Sequence, residues 1–147
     1  MIKIIYPAKK PSIKNADGKE QIFCIIRKRW ILITPEEWVR QNFLLYLTEV
    51  LNYPASLIAV EKQLMLGDVK KRFDIVVYDK ETKPLMIIEC KEMNVALSEN
   101  TLQQVLRYNI NVKAKYLVVT NGSYCAAFRH DKGSYIIEDK IPLPGVS

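Results

Sequence analysis

The chain has 147 residues, is 49% hydrophobic and 26% charged, and carries a formal net charge of +6. That length suits one domain with a real core, and the composition is ordinary for a globular protein, with no internal repeat or low-complexity segment. The positive balance favours a polyanionic partner without requiring one.

Cys24, Cys90 and Cys125 are odd in number and form no C-x-x-C or Cys/His cluster, which speaks against a zinc site and against a disulfide framework. A reducing cytoplasm is the expected location. The opening Met1 to Tyr6 holds too short an apolar run for a signal peptide, and no run reaches the length of a membrane span.

Residues 1–33 read as an extension containing a hairpin or edge strand. Gln21 to Ile26 and Trp30 to Ile33 are strand-like, and Ala16-Asp17-Gly18 is a turn signal. An exposed strand edge there leaves a homodimer open. Residues 34–138 form the expected core. Thr34 is a good N-cap, Pro35 suits the first helical position, and Glu37 completes a Thr-x-x-Glu capping box. This helix is expected to run to Leu51 with Val39, Phe43, Leu47 and Val50 buried, and Asn52-Tyr53-Pro54 stops it. Leu57 to Leu66 is the first core strand and Gly67-Asp68 its turn. Phe73 to Tyr78 and Leu85 to Glu89 are the next two. Ser98 caps a second helix that reaches about Val112. Tyr116 to Thr120 is a buried strand, able to lie parallel to its partner through the helical crossover. Tyr124 to Arg129 and Ser134 to Ile137 are further strands. Residues 139–147 read as an extended tail that frays.

The middle hairpin carries the chemistry. A symmetric pairing with Tyr78 opposite Leu85 sets Asp74 opposite Glu89. Partners in such a pair lie roughly 4.5–5.5 Å apart at Cβ, which suits two carboxylates sharing one cation. Side chains alternate along a strand, so Lys91 shares the face of Glu89 while Cys90 takes the other. Val76, Tyr78, Ile87 and Leu85 then line one face, and Ile75, Val77, Ile88 and Met86 the other. A sheet apolar on both faces needs cover on both, as in a layered α/β domain. Charged groups at the ends of such strands are costly unless paired or bound to metal. A plain ion pair between Asp74 and Lys91 is the competing explanation.

The ordered elements are Thr34-Pro35-Glu36-Glu37-x-Val39-Arg40-Gln41, Asp74, Glu89-Cys90-Lys91, Gln104-x-x-x-Tyr108 and Thr120-Asn121-Gly122. Together they resemble the PD-(D/E)xK nuclease superfamily, and within it the nuclease domain at the N-terminus of type I restriction enzyme R subunits. The resemblance spans roughly Ile33 to Arg129, with Phe73 where the motif's proline would stand. It implies a restriction-endonuclease-like fold, a mixed β-sheet between helices (α/β, or α+β in some schemes), and Mg²⁺-dependent cleavage of DNA, with Mn²⁺ as a substitute. Asp74, Glu89 and the main-chain carbonyl of Cys90 would hold the metal, and Lys91 would be the catalytic lysine. Gln104 and Tyr108 would match the glutamine and tyrosine of the second helix. DNA is the implied partner, alongside other restriction-system subunits. No G-x-x-x-x-G-K-[ST] loop is present, so no ATP-driven motor is implied, and the chain is expected to be a stand-alone protein or a fragment.

Other charged residues divide between roles. Lys70, Lys71 and Arg72 flank the site just before Asp74 and are candidates for phosphate contact, as is Arg107 on the second helix. Glu61 is either a third acid on the face of Asp74 or a lysine's partner. Glu37 is explained as a helix cap and Arg40 as an ion-pair member. His130 is expected at the surface. Gln104 and Tyr108 share a helix face, but at about 100° per residue Gln104 falls nearly opposite Leu102. The apolar stripe is Leu102, Val105, Leu106 and Ile110, so the pair is expected to face outward, towards DNA or the extension. Against the expected deoxyribonuclease stand a non-catalytic nucleic-acid-binding module and an assembly subunit on the same fold.

Overall fold

Strands alternating apolar residues between two faces dominate the chain, and two helices cover those faces. The computed structural model describes residues 1–145. In chain order its elements are β1 (Ile2–Lys3), β2 (Ile13–Ala16), β3 (Lys19–Cys24), β4 (Arg29–Leu32), α1 (Pro35–Leu45), β5 (Ile58–Leu66), β6 (Val69–Tyr78), β7 (Pro84–Cys90), α2 (Glu99–Tyr108), β8 (Tyr116–Thr120), β9 (Tyr124–Asp131) and β10 (Ser134–Glu138). The main sheet runs β1-β9-β8-β7-β6-β5, with β10 also on β9, and β2-β3-β4 form a second, smaller sheet. Among the described residues only β7 and β8 pair in parallel, joined through α2 as a crossover requires. The result is an α+β fold. No helix among the described residues is long and apolar enough to cross a membrane.

Two apolar clusters sandwich the sheet. On the α1 side Val39, Phe43 and Leu47 meet Ile75, Val77, Met86, Ile88 and Val118. On the α2 side Val105 and Leu97 meet Val76, Ile87, Leu117 and Val119. The paired residues Ile75↔Ile88, Val76↔Ile87 and Val77↔Met86 follow the register that sets Asp74 opposite Glu89. A bulge at Tyr78 pairs it with Pro84 instead of Leu85, which turns Leu85 to the α1 side with Ile88.

Helical backbone reaches the expected end of the first helix at Leu51, though not as α-helix throughout, while α2 stops short of Val112. Thr34 caps α1 by accepting from the Glu37 N–H at 3.0 Å. Beyond Leu45 the backbone widens into a π turn, Tyr46–Val50, with Leu51 N–H donating to Tyr46. Five residues per hydrogen-bonded turn carry Val50 off the stripe and into solvent. In α2 the buried Asn109 ends the helix, its side-chain amide donating to the Val105 carbonyl at 2.8 Å. Ile110 is therefore exposed and Val112 buried in its place.

The ends of the chain are tied to the core. β1 pairs with β9 through Ile2↔Cys125, and Ile22 and Cys24 of β3 are buried. The extension is thus part of the packing. The tail docks through buried Ile141 and the Tyr53 hydroxyl, which donates to the Pro142 carbonyl at 2.5 Å, rather than fraying over 139–145. Residues 146 and 147 of the expected tail lie outside the described residues. His130 is half-buried, edge-on to Tyr135.

The Thr120-Asn121-Gly122 turn locks β8 and β9 to α1. Thr120 Oγ1 accepts from Gly122 N–H at 3.0 Å, and Asn121 Oδ1 accepts from Ser123 and Tyr124 N–H, each at 3.0 Å. Gly122 has φ +91°, and a Cβ there would lie 3.2 Å from Val39 Cγ2. Replacement of Gly122 by Ala therefore combines backbone strain with a tight contact, and should lower stability by about 1–3 kcal/mol. A denaturant midpoint unchanged from the parent would contradict this.

Candidate active site

The site forms where the β5-β6 hairpin changes sides. Ile58 and Val60 on β5, with Ile75 and Val77 on β6, pack on the α1 side. Residues of the same parity further out, Leu64 and Leu66 with Phe73, pack on the α2 side. The hairpin thus rolls over at Glu61 and Asp74, between the paired residues Val60↔Ile75 and Lys62↔Phe73. Glu61 takes φ +50° there, a conformation that non-glycine residues rarely hold without outside support.

The roll places Asp74 between the two helix layers. Its Oδ1 accepts from Arg40 Nη2 and its Oδ2 from the Cys90 N–H, both at 2.8 Å. Arg40 comes from α1 and is buried. Its other terminal nitrogen, Nη1, donates to Glu37 Oε1 at 2.8 Å, while Glu61 Oε1 lies 3.5 Å from Nη2. Glu37 Oε2 accepts from Gln41 at 2.9 Å and pairs with Arg27 at 3.4 Å, while Arg27 also reaches Glu61 at 3.3 Å. Burial works against the Arg40 charge, but Glu37 and Asp74 outweigh it and hold the guanidinium above its ordinary pKa.

Glu37 is therefore not the helix cap that the Thr-x-x-Glu spacing suggests. Its main-chain N–H donates to the Thr34 cap, but its carboxylate turns inward to Arg27, Arg40 and Gln41 instead of back to the Thr34 N–H. Arg40 is the ion-pair member that the sequence suggests, and Glu61 pairs with arginines instead of a lysine. Arg27 is the residue that the sequence did not single out. The available signal was the Glu37-x-x-Arg40-Gln41 spacing, which puts three polar side chains on one face of a helix whose neighbours are buried.

Glu89 lies beside Asp74 at the end of β7. Desolvation, then the neighbouring Asp74 carboxylate, push its pKa up to about 8, against the pull of Lys91 and Lys71. Lys91, Gln104, Thr101 and Tyr108 share with Glu89 a cleft of about 340 Å³. Gln104 and Tyr108 do face away from the sheet and are exposed, yet they join the site. The cleft opens along the flank of α2, so a side chain pointing off the sheet still lines it.

Among the flanking cations, Lys70, Arg72 and Arg107 are exposed. Lys71 is not, which corrects its expected place on the phosphate-contacting surface. It is buried, donates to the Tyr108 carbonyl at the C-terminus of α2, and stands 3.3 Å from the Tyr108 ring centroid. A cation there complements the helix end and covers the ring. Desolvation lowers the Lys71 pKa, opposed by Glu89.

Two neighbouring carboxyls, one driven towards protonation by the other, fit a hard divalent cation, which would relieve their repulsion. Mg²⁺ needs only one or two carboxylates with waters. Each Asp74 oxygen keeps a lone pair beyond its one hydrogen bond. No group of three or more acidic, histidine or cysteine side chains poised for a metal occurs among the described residues, so the pair would be completed by main chain or water.

Comparison with known families decides the relationship. The family described as type I restriction enzyme R protein N terminus (HSDR_N) matches residues 35–142. The chain belongs to this family. The match covers both helices, the hairpin with Asp74, Glu89 and Lys91, and the Thr120-Asn121-Gly122 turn. It ties this R-protein N-terminal domain to restriction systems. Comparison with curated proteins gives no match.

Two outcomes follow from the network. Arg40→Ala strands the buried Glu37 carboxylate and Asp74 and should destabilise this R-protein domain by about 3–5 kcal/mol, read by denaturant unfolding; a loss below about 1 kcal/mol would show the pair to be dispensable. Glu89 binds its proton more tightly folded than unfolded, because its pKa rises from 4.5 to about 8. Without divalent cations its contribution to stability should therefore fall as pH rises across that window. Thermal unfolding against pH should lose this slope in Glu89→Gln, and a slope that persists would contradict the assignment.

Proposed function

We propose that this domain is a Mg²⁺-dependent nuclease of the PD-(D/E)xK superfamily that hydrolyses DNA phosphodiesters in a restriction system. The observation that carries the reading is that Asp74 and Lys91 both act on Glu89 at one sheet end, with Glu89 and Lys91 opening onto a cleft shared with Gln104 and Tyr108. Asp74, Glu89 and the Cys90 main-chain carbonyl are the groups to hold the metal. Bound there, Mg²⁺ supplies Lewis acidity to the phosphate and lowers the pKa of an attacking water. Mn²⁺ is expected to substitute.

The chain's own residues do the rest. Lys91 offers a compact cation to the extra negative charge that develops on the phosphate. Arg40 and the Cys90 N–H fix both Asp74 oxygens, so the carboxylate has no freedom to swing away. Gln104 and Tyr108 line the cleft mouth, where they meet the substrate beyond the scissile group. Lys70, Arg72 and Arg107 present exposed charge to flanking phosphates.

Incubation of pure protein with plasmid DNA and Mg²⁺ tests this. Nicking or linearisation should occur, stop with EDTA, and fall by about 100-fold or more in Lys91→Ala and Glu89→Gln. Cleavage equal in the variants would assign it to a contaminant. A second reading has its own support, since both Asp74 oxygens are already hydrogen-bonded within the chain. A non-catalytic DNA-binding module would bind DNA in EDTA with the variants unimpaired, and would cut nothing.

A further inference from the structure

A second, larger cavity adjoins the candidate active site. It measures about 830 Å³ and lies between the tip of the rolled β5-β6 hairpin and the segment that follows α2. Tyr108 lines both cavities, so the two adjoin at that residue. Val69 and Met65 are 64% and 57% exposed on the hairpin wall, and Tyr108 is 69% exposed where the cavities adjoin. Three lysines, Lys70, Lys71 and Lys113, also line the groove, and no lining residue is acidic. Asp68 sits in the hairpin turn without lining it. Exposed apolar side chains gathered in one groove mark a binding surface.

We propose that this groove receives an unpaired nucleic-acid strand running out of the active-site cleft. This rests on the nuclease reading above and adds the state of the substrate. The chemistry of the walls selects the occupant. A polyanion is favoured by lysines without acids. A duplex keeps its base faces stacked inside and offers only its backbone and base edges, which leaves Val69, Met65 and Tyr108 without a base face to cover them. A single strand turns its base faces outward, and these suit apolar and aromatic walls while its phosphates meet Lys70 and Lys113. Lys71 covers one side of the Tyr108 ring and holds the helix end, which leaves the remaining exposed ring surface for a base. A strand entering here would pass Tyr108 to reach Glu89 and Lys91. Cutting would then favour substrates with an unpaired segment beside the scissile bond.

The test uses the full chain in EDTA at low salt, where no cutting interferes. Fluorescence anisotropy is followed with a labelled short oligothymidylate and with a blunt duplex of matched length. Val69→Asp/Lys113→Glu alters two exposed positions, and circular dichroism confirms its fold. The wild type should bind the single strand more tightly than the duplex, and the variant should lose about tenfold or more on the single strand with a much smaller loss on the duplex. Equal losses on both probes, or no loss on either, would overturn the groove assignment. Binding of the duplex alone would also overturn it while leaving the nuclease reading intact. Failure of the nuclease reading is seen separately, as absence of Mg²⁺-dependent plasmid cleavage.

Discussion

The Arg40–Asp74 ion pair is the contact on which the rest of the site depends. It joins the covering helix α1 to the hairpin that carries the acids, and it is buried on the arginine side. A buried guanidinium is costly unless every charge around it is matched. Glu37 matches it within the helix, and Gln41 and Arg27 then hold Glu37. The requirement spreads outward in this way until it includes the segment between β3 and β4, which supplies Arg27. The small sheet therefore does structural duty at the site, although its strands carry none of the proposed metal ligands. Such a network is weak evidence for net stability. Its value lies in fixing the position of one carboxylate from two directions.

The second constraint is the roll of the β5-β6 hairpin. A regular flat hairpin would keep Phe73 on the face of Ile75 and leave α2 uncovered at its C-terminal end. Rolling at Glu61 and Asp74 brings Lys71 to the end of α2 and Phe73 into the second core cluster. It also leaves Asp74 at the crossing point, able to meet Arg40 on one side and Glu89 on the other. The positive φ of Glu61 is held by its pairing with Arg27 and Arg40. Fold and site are thus set by the same local distortion.

Much of this was legible from local rules. The capping signal at Thr34, the turn at Gly67-Asp68 and the parallel strand from Tyr116 to Thr120 each rest on short-range chemistry, and each stands as read. The hairpin register held from Ile75↔Ile88 to Val77↔Met86 because buried alternation on both sides tolerates no slip. It failed at Tyr78 and Leu85, where a bulge near the turn shifts one residue without disturbing the core. The burial of Val50 and the length of the second helix failed for a related reason. Nothing in an apolar stripe announces the π turn after Leu45, or the Asn109 side chain closing α2 early. Lys71 was misjudged, and Arg27 passed over, because their partners, Tyr108 and Glu37, are brought to them only by the roll and by the packing of the small sheet. Gln104 and Tyr108 show the limit of helical-wheel geometry. The wheel gave the right face, but whether that face meets solvent or a cleft depends on the hairpin beside it.

The most direct measurement is a calorimetric titration of metal-free protein with Mg²⁺, repeated on Glu89→Gln. A single saturable site that is present in the parent and lost in the variant, without loss of fold, is the predicted result. Equal binding in both proteins, or none in either with Mg²⁺ or Mn²⁺, would contradict a metal-dependent site at Asp74 and Glu89.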